Sequence, residues 1–433
     1  MQIFKFGGAS VKNSDGIKNV GEIIQKYRDS KAQIIVVSAT GKTTNQLEEV
    51  VEKKFSDFPT ALLLLQSIRE KHEHILEELG IQKDHPVFSD LNSHFVEAEW
   101  VIEEERLSPY DFTYDQIVSI GELISSRILT AWLDLIGLNV EWIDARDLIL
   151  TDDTYREGRI QWKETNKKIQ DIIRPSIQAG KIVVTQGFIG STAENNTTTL
   201  GREGSDYTAA ILSSALKSDS MTIWKDVPGI LTADPNVFDH VTKLDRLTYT
   251  EAIEMTYYGA KVIHPKTIQP LQLQSIPLYV KSFISPESAG SLISTDIEIE
   301  YPPIVVLEKN QALLHFSSTD LSFIAEHHMA RLFNLFEKHR IKVNMMRNTA
   351  ITFTVCVTND SRRISNLLTE LKAEYVVVID SELELITVRH YIDSMLTALL
   401  ENKIVVLEER IKKTLQMVVK DAPCITFKKG NEI

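Results

Sequence analysis

Cysteine is nearly absent. Of 433 residues only Cys356 and Cys424 carry a thiol, too few for a disulfide framework or a cysteine-based zinc site. Each is therefore expected to be an inert core thiol, in a chain that works in a reducing cytoplasm. Long apolar runs are missing as well: the densest, ALLLL at 61 to 65, is far too short to span a bilayer. The opening residues, MQIFKFGGAS, have no basic stretch followed by an apolar one, which is read as no export signal and no membrane anchor. Nor is there an excess of positive charge. Lys+Arg 47 against Asp+Glu 60 leaves a formal net charge of -13, spread without long single-sign blocks, which argues against nucleic acid or an anionic membrane as the main partner. A further absence is subtler. VVSATGKTTN, residues 36 to 45, has the Gly-Lys-Thr of a P-loop after an apolar strand but lacks the glycine five residues earlier, where Val36 stands. A β-branched residue resists the φ > 0 geometry by which such a loop curls its amides around phosphates, so any phosphate site must lie elsewhere.

What is present divides into two unlike parts. From residue 1 to about 295, QIFKF, AQIIVVS, NVEWID, KIVVTQGFIG and SMTIW read as strands alternating with amphipathic helices. Their near-continuous apolar character predicts an α/β fold with a mainly parallel sheet covered on both faces and ligands at the carboxyl ends of the strands. Residues 46 to 106 read as a helical excursion, either over the substrate side or as plain scaffold. Pro302-Pro303, after an acidic cluster, marks a boundary. Beyond it the pattern is βαββαβ followed by a shorter copy, with expected domains at 1–295, 304–380 and 381–433. Small paired α+β modules of this sort bind an effector or a second subunit.

Three loops carry chemistry. In KFGGAS, Lys5 sits inside an apolar strand that runs into Gly7-Gly8; a buried ammonium wants an anion, either a transferring phosphoryl group or, more plainly, nothing beyond the solvent at a sheet edge. In TTTLGREGSD, a Gly201/Gly204 loop enters a helix that Ser205 or Asp206 would cap, and Arg202 has the planar fork for a carboxylate. Asp206 at a helix N-terminus makes sense if it orients Lys5 or a Mg²⁺-bound phosphate, and a plain N-cap is the alternative. In KDVPGILTADPN, Asp226 follows a strand directly, and GAKVIHPKT adds Lys261 and His264, which turn chemistry alone would explain equally well. Glu122, in SIGELISSRI, could accept an ammonium or simply face water.

Taken in order, KFGGAS, VVSATGKTTN, SIGE, TQGFIGST, TTTLGREGSD, KDVPGILTADPN and GAKVIHPKT closely resemble the motifs of the aspartate kinase family, over nearly the whole chain. The resemblance implies an amino-acid kinase fold with C-terminal ACT-type regulatory modules. It implies ATP- and Mg²⁺-dependent phosphorylation of the β-carboxylate of L-aspartate, the entry step to lysine, threonine, methionine and diaminopimelate, with no metal site made by protein side chains alone. Lys5 and Asp206 would be catalytic. Glu122 and Arg202 would grip the ammonium and α-carboxylate of aspartate, with Ser38, Thr44, Asn45, Phe188 and Ser205 around it, while Gly7, Gly8, Ser10, Asp226 and Lys261 would hold the nucleotide. The chain departs from the family at Ala9, where a Thr is usual, at Glu203, where the middle glycine of the loop is usual, and at Leu231 and Asn236, where Tyr and Arg are common. Those departures keep two other readings open: a catalytically impaired amino-acid sensor, and another carboxylate-phosphorylating kinase of the same fold. Retention of both Lys5 and Asp206 weighs against the first.

The C-terminal modules are expected to pair chains into a homodimer or higher homo-oligomer. An amino-acid effector, threonine or lysine, would sit near Ser318, Asp320 and Asn344, at the loop after a first strand. Cationic Lys342 and Arg347 beside that loop favour threonine, since a second ammonium would find few partners beyond Asp320. The alternative is a purely structural dimer module.

Overall fold

The computed structural model describes residues 1–28, 31–104, 108–260, 263–295, 299–319, 323–372 and 374–422. The chain falls into two units: Met1–Ile230 with Lys243–Thr256 and the described part of Lys261–Ile299, and Leu231–Thr242 with Tyr257–Ala260 and the described part of Glu300–Ile433.

The first unit is built on an eight-stranded sheet. Four of its strands are β1 (Gln2–Phe6), β2 (Gln33–Val37), β4 (Ile182–Gln186) and β7 (Ser220–Lys225). Their residues are buried almost throughout, as expected of strands covered on both faces. The order across the sheet is Arg246–Thr248, Ser291–Ser294, Leu278–Ser282, β7, β1, β2, β4 and β3 (Val140–Trp142). All neighbours run parallel except Leu278–Ser282 against Ser291–Ser294. The mainly parallel α/β sheet expected from the strand pattern is thus observed. Because β7, β1, β2 and β4 are adjacent and parallel, their last residues, Lys225, Phe6, Val37 and Gln186, end on one edge. The loops that follow all open there.

Helices cover both faces. In α1 (Ser14–Lys26) Asn13 caps by accepting from Gly16 N, and Ile17, Val20, Ile23 and Ile24 form the buried stripe. The predicted excursion is α2 (Thr43–Lys54), α3 (Phe58–Glu78) and α4 (Pro86–Glu103), whose Leu47, Leu65, Ile68, Leu91 and Phe95 join one core with Phe4, Phe6, Ile35 and Val37 of the sheet. Next come α5 (Tyr110–Val118) and α6 (Ile120–Leu135), the short α7 (Ala145–Leu148) and α8 (Trp162–Gln178). A ribbon of β5 (Ile189–Ser191) and β6 (Thr197–Thr199) then leads into α9 (Gly204–Leu216). No helix among the described residues is long and apolar enough to cross a membrane.

The second unit carries a six-stranded antiparallel sheet, in the order Val343–Asn348, Thr352–Thr358, Ile304–Ser318, Tyr375–Arg389, Thr414–Asp421, Lys403–Ile411. The repeat is not two copies laid end to end. The two long strands pair along most of their length, so Ile304–Glu308 lies against Leu385–Arg389, while Leu313–Ser318 lies against Tyr375–Asp380. The first five residues of Ile304–Ser318 thereby pair with the stretch that begins the second copy. Register shifts between Glu308 and Leu313 mark the passage from one half to the other.

Gly187 tests how tightly the edge at these strand ends is packed. A Cβ there would lie 2.4 Å from Ser205 Cβ and 2.6 Å from Ser205 Cα, so α9 starts flush against the end of β4. Gly187→Ala is expected to lower stability by roughly 1–3 kcal/mol, as overpacking of a close contact does, read as a fall in the urea midpoint. An unchanged midpoint would mean that the contact yields freely.

Candidate active site

Lys5 is the next-to-last residue of β1, with Val36 and Ile223 as its strand neighbours, and is only 9% exposed. Its Nζ lies 2.6 Å from Oδ1 of Asp206, itself buried in the first turn of α9. A Cβ on Gly7 would come 3.5 Å from that ammonium, so the glycine leaves Lys5 beside bare backbone. The solvent-edge alternative for Lys5 is excluded by this pairing. The capping expectation for Ser205 or Asp206 is not met either: α9 has no side-chain cap, and its N-cap residue is Glu203, in the left-handed region at φ 55. A residue with a side chain is strained there, which is why glycine is favoured at such positions. One carboxylate oxygen of Glu203 is buried and has no hydrogen-bond partner among the described residues.

Glu122, in the first turn of α6, is buried rather than solvated. Its Oε1 accepts from Ala39 N at 3.2 Å, and its Oε2 is buried with no hydrogen-bond partner among the described residues. Burial pushes its pKa up to about 8, opposed by the Ala39 amide and the charge of Lys5. Gly121 permits this approach, since a Cβ there would meet Ala39 Cβ at 3.0 Å. A buried carboxylate with one open oxygen is suited to a cation delivered by a ligand.

The remaining candidates gather by backbone contacts at the same strand ends. Ser38 N donates to Phe6 O, Gly41 N to Gly8 O, and Gly187 N to Val37 O, which ties together the loops after β1, β2 and β4. Ser38 and Thr44 are half-buried and Asn45 exposed. Phe188, at φ 72, donates its N–H to Thr208 Oγ1. Ser205 is buried, and Ser10 is buried with its Oγ unpartnered among the described residues. Arg202 is exposed in the turn before α9, and Asp226 is exposed just past β7. The P-loop likeness dissolves: Thr43 Oγ1 donates to Thr40 O at 2.6 Å, within its own turn, and Lys42 is exposed. Lys261, Asp320 and Cys424 lie outside the described residues. In the second unit Ser318 is buried, and Asn344 donates Nδ2 to Gln311 Oε1 at 2.9 Å, while its Oδ1 is buried with no hydrogen-bond partner among the described residues.

One buried carboxylate escaped the sequence reading. Asp115, fully buried on α5, accepts from Thr199 and Arg156 and thus touches the loops before Arg202. Its only sequence signal is an acid flanked by Tyr114 and Ile117 on the inward side of a helix.

The profile of the amino acid kinase family matches residues 1–282. The lysine-sensitive aspartokinase 3 of Escherichia coli (strain K12) is 30% identical over 399 residues, covering 89% of this chain and 86% of its own length. The aspartokinase of Chlamydia trachomatis is 32% identical over 72% of this chain and 69% of its own. Among solved structures, E. coli aspartokinase III in complex with aspartate and ADP (R-state) is similar with a TM-score of 0.83 at 27% identity, over 97% of this chain and 96% of that one. The structure in complex with lysine and aspartate (T-state) gives 0.79 over the same shares. With its sheet, its buried Lys5–Asp206 pair and these relatives in agreement, the chain belongs to the aspartokinases of the amino acid kinase family.

Proposed function

We propose that this aspartokinase transfers the γ-phosphoryl group of ATP to the β-carboxylate of L-aspartate, giving 4-phospho-L-aspartate for lysine, threonine, methionine and diaminopimelate biosynthesis in the cytoplasm. The observation that carries the reading is the buried ion pair at 2.6 Å between Lys5 and Asp206, set beside Gly7 where four parallel strands end. The likeness to an aspartokinase that holds aspartate and ADP supports it.

A carboxylate is already nucleophilic, so the site needs no strong base, and catalysis rests on positioning and charge neutralisation. Lys5 places its ammonium against the charge that develops on the transferring group, and Asp206 holds that ammonium in place. The open oxygen of Glu122 takes the substrate ammonium, and Arg202 takes the α-carboxylate in a fork. Ser38, Thr44, Asn45, Phe188 and Ser205 line the amino-acid side; Gly7, Gly8, Ser10, Asp226 and Lys261 hold the nucleotide. A Mg²⁺ would come with the nucleotide and would supply neutralisation of phosphate charge; exposed Asp226, just past β7, would hold the nucleotide.

We assign 1–295 to catalysis and the modules within 304–380 and 381–433 to regulation and homo-oligomer formation. The threonine expectation gives way to lysine, because the similar T-state structure is a complex with lysine. The second reading, an impaired sensor, rests on strained Glu203 next to the phosphate side. A coupled assay with ATP and aspartate, glutamate or N-acetylglutamate separates these: turnover with aspartate alone is expected, and no turnover with any would favour the sensor.

Lys5→Met and Asp206→Asn are expected to lower kcat by about 10²-fold or more at saturating substrates, the size typical for losing one preorganised electrostatic contact. Near-native turnover in both would refute their roles. Glu122 generates a pH prediction. Its carboxylate must be ionised to hold an ammonium, and burial holds its pKa near about 8 in the free protein, so kcat/KM for aspartate should rise with pH up to that value. Glu122→Gln should abolish that limb and raise KM for aspartate more than KM for ATP; an unchanged profile would place Glu122 outside the site.

A further inference from the structure

Helix α5 contributes nothing to the reaction described so far, yet its side chains reach α2, β6 and the Arg156 turn, and it runs on into α6. Tyr114 donates its hydroxyl to Glu48 Oε1 at 2.7 Å, on α2, whose first turn carries Thr44. Gln116 pairs with Thr197 twice, Nε2 to its carbonyl at 2.8 Å and Oε1 from its amide at 3.3 Å. Asp115 between them is completely buried. Its Oδ2 accepts from Thr199 N and from Arg156 N, both at 2.9 Å, and its Oδ1 accepts from Thr199 Oγ1 at 2.7 Å. Side chains of α5 thus hold the amides of β6 that β5 does not use, as a further strand would. The Arg156 backbone, held by Asp115 at φ 70, places its carbonyl 3.2 Å from where a Cβ on Gly201 would be. Gly201 immediately precedes Arg202. In the other direction, α5 passes through Ser119 straight into α6, which presents Glu122.

We infer that Asp115 is a positioning residue for aspartate binding, which clamps Thr199 and Arg156 so that the loop bearing Arg202 keeps a fixed distance from Glu122 on the adjoining helix. The inference rests on the reading that Arg202 grips the substrate carboxylate. Burial pushes the pKa of Asp115 up to about 6, opposed by its three donors and the nearby Arg156 charge. Three donors converging on one buried carboxylate is what holding a loop in place requires. An error of about 1 Å at a clamp can lose on the order of 10²-fold in rate.

The test is steady-state kinetics on the full chain with Asp115→Ala, Asp115→Asn, Thr199→Val and Arg202→Ala. Asparagine can satisfy the same three partners, its oxygen accepting from both amides and its Nδ2 donating to Thr199 Oγ1. Asp115→Asn should therefore keep KM for aspartate within about threefold, while Asp115→Ala raises it about tenfold or more and leaves KM for ATP within about twofold. Thr199→Val, which removes one bond and keeps the shape, should raise it severalfold and carries the test if Asp115→Ala does not fold. Combining Asp115→Ala with Arg202→Ala should add little beyond Arg202→Ala, because both act through one contact. An Asp115→Asn as impaired as Asp115→Ala, equal rises in both KM values, or full additivity would overturn the inference. Arg202→Ala without effect on aspartate would overturn the site reading itself, and the inference with it.

Discussion

A charged pair removed from water organises the edge of the first unit where its central strands end. Lys5 and Asp206 are both nearly inaccessible and 2.6 Å apart, and either one alone in that place would be a buried, uncompensated charge. Their pairing links the central strand of the sheet to the first turn of α9. The surroundings follow from that requirement: Gly7 next to the ammonium, Gly187 thin enough for α9 to start against β4, and a loop that enters the helix without a side-chain cap. Stability alone would be as well served by an apolar pair. The phosphoryl-handling site proposed above would not.

Around this pair the sheet acts as an aligning device. Four adjacent parallel strands deliver their following loops to one edge, and short backbone bonds between those loops fix them to each other. Glu122 arrives from outside the sheet, on a helix whose Gly121 allows contact with Ala39, and its single bond to that amide leaves one oxygen open. The second unit answers a different problem. Its two long strands run through both halves, so one continuous antiparallel sheet replaces two short modules, each of which would have exposed more unpaired edges.

Much of this was readable in the chain. Apolar runs such as QIIVV and KIVVTQ can only be strands buried on both faces, so a parallel sheet followed from them, and glycines placed directly after strands located the site edge. Local chemistry was enough in these cases, because a side chain's burial was set by its own neighbours in sequence. Lys5 inside such a run could be read as wanting an anion or, more plainly, as an edge-strand lysine.

Other features were settled by partners distant in the chain. Asp206 could be read as a helix cap or as a group that orients Lys5, and only its contact with that lysine, 201 residues away in sequence, decided between them. Glu122 read equally well as a solvated helical acid, until packing of α6 on Ala39 withdrew it from water and raised its pKa. Asp115 gave almost no signal, since what distinguishes it is three donors from Arg156 and Thr199 that converge only after α5 packs on β6. Likewise the C-terminal repeat was legible as a repeat, but its strand exchange was not: a strand's periodicity specifies which face it buries, while which strand lies beside it is fixed by the hydrogen-bonded register of the assembled sheet.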